Sequence, residues 1–326
     1  MPANLACPRQ GPRPSVAATF SAGARPPLPP PRGAQTRFVV FHVDDLGMCH
    51  AANEAFLHLV EKAEVASGSI MVPCPWFSEI AEAGCANPSL DLGVHLTLTS
   101  EWKYYRWRPI STRNPSSGLI DADGYFWRDV TTLAQHVVIE AAEAELRAQV
   151  ERAFEVGLRP THIDAHMAAA LLPELLDVHV RLAFDYGLFP VLPRNLSFAP
   201  NPARYKETVA RLQDWKMPLL DHFCGTQAVP EAEVVPSYRN RVENLHAGVT
   251  HFALHCTAPG DFEAISSQHA IWRLNEYRLF ASGAVSSWCQ NLGIVRVGVR
   301  DLQMKWQHSL ADLGTVSTEP DDQTSR

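Results

Sequence analysis

Long apolar runs are missing from this 326-residue chain, and nothing approaches the ~20 uninterrupted apolar residues that a membrane span requires. Clustered basic charge is missing too. The net charge is −7, and no Lys/Arg cluster offers the footprint that phosphate backbones demand, so nucleic acid is not an expected partner. No Gly-rich phosphate loop is written anywhere. The seven cysteines (Cys7, Cys49, Cys74, Cys85, Cys224, Cys256, Cys289) form no C-x-x-C, which excludes a zinc knuckle or a thioredoxin-like pair. Their odd number and scatter fit reduced thiols in a cytoplasmic protein. Acids and Lys are absent from residues 1–37, which hold five arginines and nine of the 25 prolines. That segment carries +5 and leaves −12 on the remainder. Residues 1–36 are expected to form a disordered tail. Repeated proline prevents the amphipathic helix of a transit peptide, and the apolar core of a secretory signal is lacking. Residues 305–326 are expected to fray.

What is present from Phe38 onward is ordinary globular composition, 46% hydrophobic and 19% charged over the chain. Short β-branched or aromatic runs occur at Phe38–Val43, Ser69–Val72, Leu92–Leu98, Thr161–Asp164, Phe189–Leu192, Leu219–Cys224, Thr250–Cys256 and Ile294–Val299. Helical spacing lies between several of them. Ala52, Phe56, Leu59, Val60 and Ala63 recur at three and four, and Leu146, Val150 and Phe154 at four, with Gly157 as a stop. The segment Pro173–Tyr186 stops at Gly187 in the same way. This alternation implies a parallel α/β fold, and eight strands over 37–304 suit a single (β/α) barrel related to the TIM barrel. A doubly wound open sheet has the same spacing. Glu101–Trp127 lacks periodicity and is expected to be a loop over the strand ends.

Polar residues interrupt these strands. Alternation sets His95, Thr97 and Thr99 on one face, His162, Asp164 and His166 on one face, and His251 with His255 on another. Parallel strands buried on both faces are normally almost all apolar, so these positions need a reason. A barrel gives one, because it gathers catalytic groups at the C-terminal ends of its strands. The first strand ends in Asp44-Asp45-Leu46-Gly47, where both carboxylates can meet one site only if the backbone turns. Taken singly, Asp44-Asp45 reads equally as a helix cap, and His95 as a core histidine. Together, one or two carboxylates and several imidazoles make a plausible site for a divalent metal, zinc, iron or a harder ion such as magnesium. Asp164, between two histidines, is read as orienting a ligand or a base, and His162 as structural or supporting.

Val43-Asp-Asp-Leu-Gly47, Leu92-Gly-Val-His-Leu-Thr-Leu-Thr99, Pro160-Thr-His-Ile-Asp-Ala-His166 and Gly248-Val-Thr-His-Phe-Ala-Leu-His255 follow one another in an order and spacing that resemble the YdjC/ChbG family of carbohydrate deacetylases. The resemblance covers Arg37 to about Leu302. It implies a (β/α) barrel-like fold, one divalent metal ion (Mg or Zn), and removal of N-acetyl groups from amino sugars such as chito-oligosaccharides. Carried over by motif, it implies Asp45, His95 and His166 as metal ligands, Asp44 as general base and His255 as the acid for the departing amine. Two positions depart from the family pattern. Ala168 stands where many members have a further histidine, and Cys256-Thr257-Ala258 separates His255 from Pro259. Trp102 and Tyr104 in the long loop, with Arg194 after the fifth strand, are candidate sugar contacts. The expected partner is an N-acetylated sugar, with self-association as a homodimer. The rival readings are another metal hydrolase such as a phosphoesterase, or a sugar-binding relic without turnover.

Overall fold

The computed structural model describes residues 36–196, 201–214, 217 and 219–314. The expected tail therefore lies outside the described residues, apart from Thr36. The order is β1 (Arg37–Leu46), α1 (His50–Glu61), β2 (Ser67–Ile70), α2 (Phe77–Ala86), β3 (Asp91–Leu96), α3 (Val130–His136), α4 (Ile139–Glu155) and β4 (His162–Ala165). It continues α5 (Leu176–Tyr186), β5 (Phe189–Pro190), α6 (Pro202–Asp214), β6 (His222–Cys224), α7 (Glu231–Glu243) and β7 (Gly248–Leu254). Last come α8 (Phe262–Ile265), α9 (Ser267–Ala281), α10 (Ala284–Asn291), β8 (Val295–Arg296) and α11 (Val299–Gly314). The final helix runs ten residues past the expected boundary at 304, and residues 315–326 lie outside the described residues.

Every strand pairing is parallel, in the order β5-β4-β3-β2-β1-β7-β6. The edges of this curled sheet meet at a parallel bridge between Pro193 and Leu220, which answers the question of closure that strand spacing left open. The eighth strand is not a stave of the ring. It pairs with Phe38 and Val39 low on β1, on the edge that β2 takes higher up at His42 and Val43.

Alternation along β1 divides the interior. Val39, Phe41 and Val43 face the helices, where Phe41 packs 5.4 Å from Phe252 and 5.1 Å from Phe280, ring to ring. His42 faces the barrel lumen, where it meets His162 of β4 and His251 of β7, each at 4.9 Å between ring centroids. Small residues on the staves between them make this possible: Ser67 and Ser69 on β2, Gly93 on β3. Gly93 pairs beside His162, and a Cβ there would lie 2.7 Å from His162 Cε1 and closer still to Cδ2 and Nε2. The two glycine stops behave as their sequence suggests: Gly157 and Gly187 follow α4 and α5 with φ of 100° and 65°. The long loop contains one short 3₁₀ turn, Pro115–Ser117, and returns to β3 where Thr99 bridges Trp127.

Candidate metal centre

The turn that brings two adjacent carboxylates to one mouth occurs within β1 itself. Its pairing with β2 shifts between Val43 and Leu46, and Asp45 takes φ of 64°. Aspartate tolerates this left-handed conformation better than most side chains, but it is still strained. The pair does not cap α1. Cys49 occupies that N-cap without a side-chain bond, and the carboxylate of Asp261 accepts from the His50 and Ala51 amides at 3.0 Å each.

Asp45 Oδ1 lies 3.2 Å from His166 Nδ1 and 3.6 Å from His95 Nε2. Four-coordinate zinc with bonds of about 2.0–2.1 Å sets its ligand atoms roughly 3.4 Å apart, so these separations bracket what a shared cation needs. The oxygen is buried and accepts no hydrogen bond among the described residues. Each imidazole is held from behind by another carboxylate. His95 Nδ1 donates to Asp164 Oδ1 at 2.8 Å, and Asp164 Oδ2 accepts from Ser69 at 2.8 Å, which leaves His95 Nε2 a bare acceptor. His166 Nε2 sits 3.1 Å from Glu101 Oε1, with Nδ1 turned to Asp45.

The electrostatics favour positive charge here. Burial opposes protonation of His166, but Glu101 and Asp45 outweigh it and push its pKa up to about 10. Burial likewise opposes charging His95, and Asp164 raises it nonetheless. A divalent cation would satisfy the same field without the proton. Asp45 stays ionised although burial works against it, because Arg273 Nη2 donates to its Oδ2 at 2.8 Å. After His166 the chain makes a tight turn in which Met167 and Ala168 take φ of 52° and 57°. Three of the four described non-glycine residues with positive φ thus lie in turns carrying candidate ligands.

Asp44 and His255 face each other beside this group, Oδ2 to Nε2 at 3.7 Å. Burial pushes the Asp44 carboxyl up to about 7, and burial lowers His255 to about 3. His255 is aimed by its own frame. Its Nδ1 donates to Thr226 Oγ1 at 3.0 Å, and Thr226 in turn donates to Glu276 Oε1 at 2.8 Å. The His255 amide donates to Glu276 Oε2 at 2.6 Å, and Tyr238 OH also donates to that carboxylate.

Of the other sequence candidates, His162 is fully buried two residues below Asp164, its Nδ1 on Thr161 Oγ1 at 2.7 Å, and it stands below the ligand group. Trp102 lies at the mouth, 5.5 Å from Phe262 and 5.2 Å from His269, with Nε1 donating to Met48 Sδ. Tyr104 projects into solvent at 85% exposure. Arg194 pairs with the strand beyond the seam and meets none of the ligand group. It donates to Asp221 Oδ1 at 3.0 Å, and Asp221 accepts from the Val249 amide at the start of β7, six residues below His255.

Sequence reasoning missed Glu101, Arg273 and Glu276. The signal was available in α9, where His269, Trp272, Arg273 and Glu276 follow one another at three, one and three and share one helix face. Trp272 stands 6.0 Å from the His255 ring. A helix whose regularly spaced face is polar, and which nevertheless buries Arg273 and Glu276, is one that lines a site.

Among known proteins, a carbohydrate deacetylase of Thermus thermophilus is 38% identical over 176 residues, 54% of this chain and 61% of its own. One of Listeria monocytogenes is 31% identical over 153 residues, 46% and 58% respectively. The chain thus spans about three-fifths of the length of the curated relatives it matches. A solved structure from Enterococcus faecalis, described as a cellobiose-phosphate cleavage protein, superposes with a TM-score of 0.68 over 82% of this chain and 99% of its own at 24% identity, and so speaks for the fold. The model of the YdjC-like protein family matches residues 38–291, from the first stave through the helix that precedes β8, and the chain belongs to that family.

Proposed function

We propose that the protein is a metal-dependent hydrolase that removes an N-acetyl group from an amino sugar or oligosaccharide. The observation that carries this is the convergence of Asp45, His95 and His166 on one buried point, beside a separate carboxylate and a separate imidazole. The naming of its relatives as carbohydrate deacetylases supports the substrate class.

Asp45, His95 and His166 would hold one divalent ion, magnesium or zinc. Such an ion supplies Lewis acidity to the acetyl carbonyl and lowers the pKa of water towards neutrality. Asp44, raised to about 7 by burial, is a general base poised near working pH and takes the proton of the attacking water. His255 starts neutral, its Nδ1–H on Thr226 and its Nε2 lone pair towards Asp44. It is therefore an acid only after it has received that proton, which it delivers to the departing nitrogen. One proton leaves water and one reaches the amine. Glu101 and Asp164 hold the ligand imidazoles in orientation, and Trp102 with Trp272 offers faces for the apolar side of a sugar ring. A phosphoesterase is disfavoured because no Gly-rich phosphate loop and no Lys/Arg cluster accompanies the ligands.

The test is acetate release over a panel of N-acetylated sugars, with metal content measured on the same samples. Asp44→Asn is expected to keep the metal and lose about 10²–10⁴-fold in rate, and His166→Ala to lose the metal. Full activity in Asp44→Asn would overturn the base role, and no release by metal-loaded protein from any sugar would favour the relic.

A further inference from the structure

Below the ligand group the lumen holds two imidazoles, His42 and His251, that the reading above leaves unused and that share Asp44 with it. His42 Nε2 lies 3.5 Å from Asp44 Oδ1, and His251 completes a triad whose ligand atoms all lie within 4.8 Å of one another. His42 and His251 are 0% and 2% exposed. Asp44 Oδ1 and His251 Nδ1 are buried and have no hydrogen-bond partner among the described residues. Such orphaned groups are costly to bury, and two residues that carry them, gathered beside a third donor, ask for an occupant. His42 Nδ1 rests on Ser67 Oγ at 2.9 Å, and its Nε2, which also lies 3.1 Å from Ser69 Oγ, faces Asp44. The 3.5 Å edge is close to the ~3.4 Å spacing of zinc ligands. Asp164 Oδ2, 3.3 Å from His42 Nε2, adds a second negative charge next to the point. None of the three residues belongs to the Asp45, His95 and His166 set, so the two groups can be filled separately.

We propose that His42, Asp44 and His251 form a second divalent-cation site, of the borderline kind that takes zinc through one carboxylate and two imidazoles. It lies deeper than the first and is reached past Asp44, whose side chain is 13% exposed. Filling it ties up the Asp44 carboxylate. Provided Asp44 is the general base argued above, zinc in excess then inhibits the enzyme.

Zinc chloride titrated into the full-length, metal-stripped protein, with bound metal counted by elemental analysis after gel filtration, tests the site without any assay of turnover. Wild type is expected to saturate at two zinc ions per chain, the second more weakly held, while His251→Gln and His42→Gln each stop at one and His166→Ala loses the tighter one. Circular dichroism checks that each variant is folded. Saturation of wild type at one ion overturns the proposal whatever the variants do, and so does a second ion retained in both folded lumen variants. In parallel, acetate release is expected to fall as zinc exceeds one equivalent in wild type, and not to respond to the excess in His251→Gln. Two bound ions without inhibition would keep the site and refute the role of Asp44 instead.

Discussion

Gly93→Ala tests how tightly the lumen is built around its imidazoles. The added methyl would overlap His162 at three ring atoms. The ring has no retreat: it is fully buried, its Nδ1 is held by Thr161, and His42 stands 4.9 Å away. Relief must come from parting β3 and β4, whose Val94–Ile163 and His95–Asp164 pairs lie directly above. Overpacking of this kind costs about 1–3 kcal/mol, and the missing exit puts the expected loss near the upper value. At about 2–4 °C per kcal/mol for a large domain, the midpoint should fall by roughly 6–12 °C. Urea unfolding of wild type, Gly93→Ala, His162→Ala and the double variant closes a cycle. The methyl should cost much less once the imidazole is gone, giving a coupling of about 2 kcal/mol. Equal losses in both backgrounds, or a Gly93→Ala protein as stable as wild type, would refute the packing argument.

Asp164→Asn should weaken metal binding about 10–100-fold, because His95 loses the carboxylate that fixes its tautomer; competition with a chelator reads this, and unchanged affinity would count against it. Arg273→Met leaves Asp45 as an uncompensated buried charge and should destabilise the metal-free protein by about 3–5 kcal/mol. Saturating zinc should recover much of that loss, since a cation at Asp45 takes over the compensation, and thermal melts with and without metal compare the two. Asp121 accepts from the Tyr125 amide and Arg106 at 3.1 and 2.9 Å, and these partners lower its pKa although burial opposes them. A lowered folded pKa means stability present above the unfolded value near 3.9 and lost as pH falls through the folded one. Asp121→Asn should therefore cost on the order of 1–2 kcal/mol at pH 7, with the gap to wild type closing below about pH 4.

Much of this was legible in the chain because the signals were local. Eight apolar runs marked the eight strands, and two glycines marked the ends of α4 and α5. Alternation alone set His95, Asp164 and His255 towards the lumen, and the Asp45, His95 and His166 group rests on those positions. What stayed hidden depended on contacts far apart in sequence. Glu101 sits in a loop without periodicity and acquires meaning only when it meets His166, 65 residues on. Arg273 pairs with a residue 228 positions earlier. β8 carries a strand's composition, but its place outside the ring follows from β2 already holding the upper edge of β1. The partner of Arg194 is hidden for the same reason, since Asp221 lies 27 residues on.

That ion pair has another consequence. Between β5 and β6 the wall is joined by the Leu220 and Arg194 amides, bonded to Leu192 and Leu220 carbonyls at 3.2 and 2.7 Å, with Arg194–Asp221 fastened across the same gap. The other staves share regular ladders. This seam is the clasp of a bracelet, and amide exchange at Leu220 and Arg194 should outpace that at Val94 or Leu254. Since Asp45, His95 and His166 ride on staves away from it, loosening of this seam is expected to leave the spacing of those three donors unchanged.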